Sequence, residues 1–308
     1  MTIELGRNQY GKAETRVVRI YRDSERHEIR DLNVSTLLRG DFTDAHTRGN
    51  QASVLPTDSQ KNTCFAMAKE KGVGEIEDYA MDLARHFVTG IGPVSAARVE
   101  VDEYRWERVS VAGEQHPHAF ARASGEIRTT AVTVAGGEGA GGEPALRAWV
   151  VSGLKDLVLL KSTGSEFAGF LKDRYTTLAE TDDRILATSL IARWRYQTWP
   201  PPPGWDEAYA QIRQILLERF ATVHSRALQQ TLWEMGRAVL EARDDVAEVR
   251  LSAPNRHHFL ADLTPFGLDN PGEVFFAADR PYGLIQCAVL RDDAADPGPA
   301  WDSATAFA

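Results

Sequence analysis

The sequence predicts an α+β fold: tandem β2α2β2 units, antiparallel sheets with helices on one face, forming a barrel on oligomerisation. Three observations predict it. The chain has 308 residues, more than one average domain. The stretch Gly136-Gly137-Glu138-Gly139-Ala140-Gly141-Gly142-Glu143-Pro144 divides it near its middle and reads as a flexible loop. On either side of that loop the apolar periodicity gives the same order, strand-strand-helix-helix-strand-strand. The expected boundaries are 1–140 for the first unit, 141–295 for the second, and 296–308 for a loose, acidic, small-residue tail.

In the first half, residues 13–22 and 27–39 alternate as a hairpin turning around Asp23-Ser24-Glu25-Arg26. Helices follow near 58–71 and 75–90, the second with Ile76, Tyr79, Ala80, Leu83 and Phe87 at helical spacing. Two long strands come next, 94–112 and 118–135. Val99 and Val101 alternate with Arg98, Glu100 and Asp102, and the phase then changes at Tyr104 and Trp106, which predicts a β-bulge near 102–103. The second half opens with strands 146–161 and 184–197. Helices follow at 205–221 and 226–242, the latter with Leu228, Leu232, Met235 and Val239 in one stripe. Strands 246–252 and 273–290 close it. A four-stranded antiparallel sheet with two helices on one face leaves two edges open. Pairing those edges with other subunits closes a barrel, so oligomerisation is expected on this ground alone.

The balance of 35 basic against 44 acidic residues gives a net charge of −9, which argues against nucleic acid or an anionic membrane as the main partner. A small anionic ligand needs only one or two local cations and stays open. Cys64 and Cys287 are too few for a disulfide framework or a cysteine zinc site, and a reducing compartment is the simplest reading. Neither a signal-peptide core nor a membrane-span-length apolar run is present. The ending Ala306-Phe307-Ala308 is not a peroxisomal address, so a cytoplasmic location is expected.

Thr57-Asp58-Ser59-Gln60-Lys61-Asn62-Thr63 opens a helix with hydroxyls and free backbone N–H groups. Such a start can hold an anion, though Thr57 or Asp58 can equally be an ordinary N-cap. Lys12, just before the first strand, is either a solvated surface lysine or a general base. Phe167 is either core or a platform for a planar ring. Arg184 either makes a surface salt bridge or grips a planar anion through two parallel hydrogen bonds. Gln229, beside the apolar stripe of its helix, is either solvated or offers a donor and an acceptor to a heterocycle edge. In Asn255-Arg256-His257-His258 the adjacent histidines point to opposite faces of an extended chain, so they do not chelate one metal together. His116 and His118 could share a face of a strand, but a turn around Pro117 is the expected reading, and no metal site is expected.

The order and local wording of these segments carry a resemblance. Tyr10-Gly11-Lys12, Thr57-Asp58-Ser59-Gln60-Lys61-Asn62-Thr63, Leu160-Lys161-Ser162-Thr163-Gly164-Ser165-Glu166-Phe167, Tyr175-Thr176-Thr177-Leu178, Asp183-Arg184-Ile185-Leu186, Leu228-Gln229 and Pro254-Asn255-Arg256-His257-His258-Phe259 resemble the motif series of the urate oxidase (uricase) family. The matches run from residue 10 to about 285, nearly the whole chain. The resemblance implies a tunnelling fold and a homotetramer with active sites between subunits. It also implies cofactor-free oxidation of urate by O2 and water to 5-hydroxyisourate, with H2O2 released.

Carried over by motif, Arg184 and Gln229 grip one edge of the purine, assisted by the Leu228 backbone N–H, and Phe167 stacks under the ring. The Thr57 side chain and Asp58 backbone hold the opposite edge from the neighbouring subunit. Asn255 lies above the ring near the O2 or water site. Lys12, Thr57 and His257 form the proton relay. Two departures are visible: the peroxisomal tripeptide of many eukaryotic members is absent, and Ala168 follows Phe167 where some relatives carry a bulkier residue. A pterin-directed enzyme of the same fold, or a non-catalytic purine-binding oligomeric barrel, are the alternatives. The Lys12/Thr57/His257 set discriminates, because a mere binder needs no relay.

Overall fold

The computed structural model describes residues 2–123, 125–138, 144–198, 200–201 and 204–303. The chain forms two compact units, Met1–Gly153 with Ala295–Ala308, and Leu154–Ala294. The central part of the glycine-rich stretch, 139–143, lies outside the described residues, whereas Gly136 and Gly137 belong to a strand.

The first unit runs β1 (Tyr10–Tyr21), β2 (Glu28–Gly40), α1 (Thr43–Arg48), α2 (Thr57–Glu70), α3 (Ile76–Gly90), β3 (Val94–Glu103), β4 (Trp106–Val111), β5 (Glu114–Arg122) and β6 (Ile127–Glu138). Its antiparallel sheet has the order β1-β2-β3-β6. The helical stripe of α3 (Ile76, Tyr79, Ala80, Leu83, Phe87) is buried against β3 and β6, and α2 packs on β1. Each of the larger apolar side chains so buried contributes about 1.5–3 kcal/mol. In the second unit come the C-terminal part of β7 (Pro144–Lys161), β8 (Leu186–Tyr196), α4 (Trp205–Thr222), α5 (Leu228–Ala242), β9 (Val246–Leu260) and β10 (Phe275–Leu290). Here β9 pairs antiparallel with both β8 and β10. The stripe Leu228, Leu232, Met235 and Val239 of α5 is buried, and α5 lies on β9 and β10.

β1 and β7 carry the same device. Glu14 in β1 has φ 56° and Asp156 in β7 has φ 62°, and a glycine, Gly11 or Gly153, stands three residues before each. In β1 this is a bulge between Lys12 and Thr15. A non-glycine residue in the left-handed region is costly, and it marks strands bent on purpose.

Several elements differ from the sequence reading. The two long strands expected at 94–112 and 118–135 are four. The bulge expected near 102–103 is absent, because β3 pairs in unbroken register with β6 from Ala96 to Glu103. The phase change at Tyr104 instead marks the end of β3. The guanidinium groups of Arg16 and Arg122 lie over the Tyr104 ring at 4.4 and 4.0 Å from its centroid, and Trp106 Nε1 donates to Asp31 at 3.0 Å. β4 and β5 then pair as a separate hairpin. His116 and His118 sit within β5, not about a turn, with ring centroids 4.5 Å apart. Lys12 lies inside β1 rather than before it, and Arg184 precedes β8 by two residues.

β9 continues beyond Pro254 to Leu260. Its ladder to β8 leaves out Ala253 and Pro254 without a change of register, so the missing proline N–H is tolerated. The C-terminal residues up to Ser303, expected to be loose, dock on the first unit. Ala300 is buried, Asp302 accepts from Arg39 at 2.5 Å and Arg7 at 3.1 Å, and Arg98 Nη1 donates to Ala300 O at 3.1 Å. The acidic Asp302 of this segment meets two arginines, Arg7 and Arg39, while Arg98 takes its backbone carbonyls, and the segment's own composition reveals none of these partners.

Candidate active site

The first unit brings Lys12 to the head of α2. Gly11 allows this, because a Cβ there would stand 1.7 Å from Thr36 O, so only glycine lets β1 lie so close to β2. Lys12, directly opposite Thr36 in the ladder, is half-buried. Thr57 is the first residue of α2. Pro56 occupies the N-cap position with no side-chain cap, so the hydroxyl of Thr57 is not consumed in capping. Unpaired N–H groups and the positive end of the helix dipole meet at this point. Asp58 is exposed; its carboxyl is held below the usual carboxylate range by a hydrogen bond from Lys61 and that residue's charge, with smaller help from Asn62 and Lys12. Lys12 is therefore within electrostatic reach of the Thr57-Asp58 turn.

The second unit gathers Phe167, Arg184 and His257. Between β7 and β8 the chain folds into a loop pinned by Asp183, whose carboxylate accepts from Thr163 Oγ1 at 2.7 Å and from the N–H groups of Gly164 at 2.9 Å and Ser165 at 3.4 Å. These bonds hold its carboxyl below the ordinary range, the Thr163 hydroxyl most of all. Arg184 N donates to Ser165 O at 2.7 Å, and Phe167 exchanges two backbone bonds with Thr181 at 2.8 and 3.1 Å. The Arg184 guanidinium thus rests 5.1 Å above the Phe167 ring centroid, while Phe170 stacks on Phe167 at 5.0 Å. The same loop is tied to the start of α5: Ser165 bridges Ser225, and Glu166 N donates to Ser225 O at 2.8 Å. Leu228 and Gln229 follow as the first two residues of α5, Leu228 buried and Gln229 exposed, with the free N–H groups of a helix start.

Burial pushes the Arg184 guanidinium below its ordinary value, although it stays a cation, and its Nε is buried without a partner among the described residues. A partly desolvated cation with an unmade donor is a poor arrangement for stability and a good one for an anion. Asn255 pairs with Thr188 on one side and Gly283 on the other. Beyond it the register of β9 with β10 shifts, so that Arg256 alone faces Asp279–Tyr282 and His257 pairs with Ala278. A bulge at this point re-aims the side chains that follow it. His257 borders an open groove of about 690 Å³ floored by Val158, Ile191 and Pro254. Its imidazole is pushed below its ordinary 6.5 by burial first, then by the charge of Arg184 and by His258. The folded group therefore stays neutral at pH values where the unfolded one protonates; its contribution to stability is present above about pH 6.5 and is lost as the pH falls. The expected result in an NMR titration of the histidine rings is a His257 midpoint below 6.5, and a midpoint at or above it contradicts this environment.

Of the residues singled out by sequence, Lys12, Thr57 and Asp58 fall in the first unit, and Phe167, Arg184, Leu228, Gln229, Asn255 and His257 in the second. Sequence reasoning missed Asp183 as the pin of the Arg184 loop. An acid beside an arginine, twenty residues after Thr163 and eighteen after Ser165, has no local signature. Cys64 is buried, and its thiol is pushed up to about 12 by burial, so it is no nucleophile. Among the described residues, no group of three or more His, Cys, Asp or Glu side chains is arranged to hold a metal ion. No helix there is long and apolar enough to cross a membrane.

Comparison with known proteins bears on these groups. The sequence profile described as Uricase matches residues 8–133 and 150–286. The uricase of Arthrobacter globiformis is 48% identical over 99% of this chain and 96% of its own length, and that of Aspergillus flavus is 35% identical over 92% and 95%. The crystal structure of the Arthrobacter globiformis uricase superposes with a TM-score of 0.90 at 47% identity, covering 98% of this chain and all of that one. A Bacillus fastidious uricase superposes at 0.79 with 25% identity over 93% and 94%. With the fold, the motif order and relatives of this closeness in agreement, the chain belongs to the uricase family.

Proposed function

We propose that this member of the uricase family oxidises urate with O2 and water to 5-hydroxyisourate and H2O2, and that the residues placed above divide the work between two half-sites. In the second unit Arg184 and Gln229 hold one edge of the flat anion, the Leu228 N–H assists, Phe167 stacks under the ring, and Asn255 stands on the O2 side. In the first unit Thr57 and the Asp58 backbone take the opposite edge. Lys12, Thr57 and His257 relay protons. The halves come from neighbouring subunits of a homotetramer, whose assembly also closes the barrel. Loss of a further proton leaves an electron-rich dianion able to reduce O2 itself. The protein then has to grip the ring, stabilise the anion and move protons, without a metal or flavin.

The observation that carries this reading is the half-buried, incompletely bonded guanidinium of Arg184 held over the Phe167 ring beside a His257 kept neutral at pH 7. A planar anion seated there gains charge-assisted hydrogen bonds, each about 1.5–3 kcal/mol, and a stacking face. The experiment is turnover by purified protein stripped of metal. The ultraviolet band of urate is expected to decay in step with O2 uptake, one O2 per urate. Binding without decay would favour a purine-binding barrel, and dependence on added zinc would favour a pterin-type relative.

A further inference from the structure

We propose that Tyr10, Thr36 and Gln60 are positioning residues that set the spacing between Lys12 and Thr57. The inference rests on the proton-relay reading above and deepens it. Lys12 belongs to β1 and Thr57 to α2, so no covalent geometry fixes their separation, and proton transfer tolerates little error in it. Two hydrogen bonds cross from the strands to the helix at this point. Tyr10 Oη donates to Leu55 O at 3.1 Å, two residues before Thr57, and the Tyr10 ring meets Phe42 edge-on at 4.8 Å. One turn into α2, Thr36 Oγ1 donates to Gln60 Oε1 at 2.7 Å, with both residues buried.

Their placement ties them to the site. Thr36 is the ladder partner of Lys12, and opposed residues of an antiparallel pair put their side chains on one face. Thr36 faces α2, so Lys12 leaves β1 on the α2 side. Gln60 lies three residues after Thr57, on the same side of the helix. Tyr10 stands two residues before Lys12, and therefore on the same face of β1. Along the chain one tie, at Leu55, precedes Thr57, and the other, at Gln60, follows it.

Stability alone does not account for the buried pair. Gln60 Nε2 is buried with no partner among the described residues, which carries the desolvation penalty of an unmade donor. An apolar pair of the same shape is expected to be no less stable. The polar pair instead sets a direction and a distance.

The test is steady-state kinetics on urate for Tyr10→Phe, Thr36→Ser, and the double variant Thr36→Val with Gln60→Leu, each alone and combined with Lys12→Ala. Tyr10→Phe and the double variant are expected to lower kcat about tenfold with KM within about twofold, while Thr36→Ser keeps most of the activity. The Tm of the double variant is expected to be unchanged or higher. Combined with Lys12→Ala, neither is expected to cause a further loss of kcat, because the group they position is gone. Full kcat in both variants, or losses that simply add to that of Lys12→Ala, would overturn the proposal. Wild-type kcat in Lys12→Ala alone would overturn the relay reading, and this inference with it. Loss in Lys12→Ala with full kcat in Tyr10→Phe and in the double variant would overturn the positioning role only.

Discussion

Lys12→Ala is expected to lower kcat for urate about 10²–10⁴-fold, the range typical of a lost general base, while urate affinity stays within a few-fold of wild type. The affinity expectation follows from where the proposed grip resides. Arg184, Phe167, Leu228 and Gln229 lie in the second unit, and the substitution touches none of them. On the Lys12 side the other proposed contacts are the Thr57 hydroxyl and the Asp58 backbone, which belong to α2. What the alanine removes, on the relay proposed above, is the amine that accepts the proton. The check is equilibrium binding of urate under anaerobic conditions beside steady-state turnover. Equal losses in the two would make Lys12 a binding residue.

Gly11→Ala acts one residue away through a different cause. Its Cβ would meet Thr36 O at 1.7 Å, Thr36 C at 2.7 Å and Leu37 Cα at 2.9 Å. All three are backbone atoms of β2, so no side chain can turn aside, and β1 must separate from its neighbour. Position 11 has no positive φ, so the clash and not strain is the mechanism. The expected destabilisation exceeds about 4 kcal/mol, seen as failure to accumulate folded protein or a Tm lower by about 10 °C or more. Gly6→Ala, with nothing within 4 Å of its Cβ, is the control and is expected to leave Tm within about 2 °C. A Gly11→Ala protein as stable as the control would contradict the close approach of the two strands.

Tyr10-Gly11-Lys12 shows what a sequence can and cannot state. Order and wording mark the tripeptide, and the structure supplies the reasons. Tyr10 ties down the segment before α2, Gly11 admits the neighbouring strand, and Lys12 sits at a bulge rather than ahead of a strand. Helices were legible because their apolar stripes are local; α3 and α5 bury the side chains their spacing selected. The first two strands were legible for the same reason.

Long-range partners were not. Tyr104 broke the alternation, and its cause, two arginines from distant strands over its ring, has no trace within eight residues of it. Pro254 reads locally as a strand end, and only its placement in the ladder shows why β9 continues. The tail looks loose by composition until Arg7, Arg39 and Arg98 are found around it. At the site, motif order and wording singled out Arg184 and Phe167, whose residue types alone left both readings open, and the bond network of Asp183 that puts one above the other depends on chain crossings that no spacing rule records.

The central claim is that a working site draws Lys12 and Thr57 from one subunit and Arg184 and His257 from another. Mixed oligomers of Lys12→Ala and Arg184→Ala chains, co-expressed at equal levels, test it most directly. Neither variant alone is expected to turn over urate appreciably. In random mixed assemblies about a quarter of the sites receive an intact half from each partner, so activity should return to roughly a quarter of the wild-type value. Mixed oligomers no more active than the separate variants would mean that the two halves belong to one chain, or to no common site.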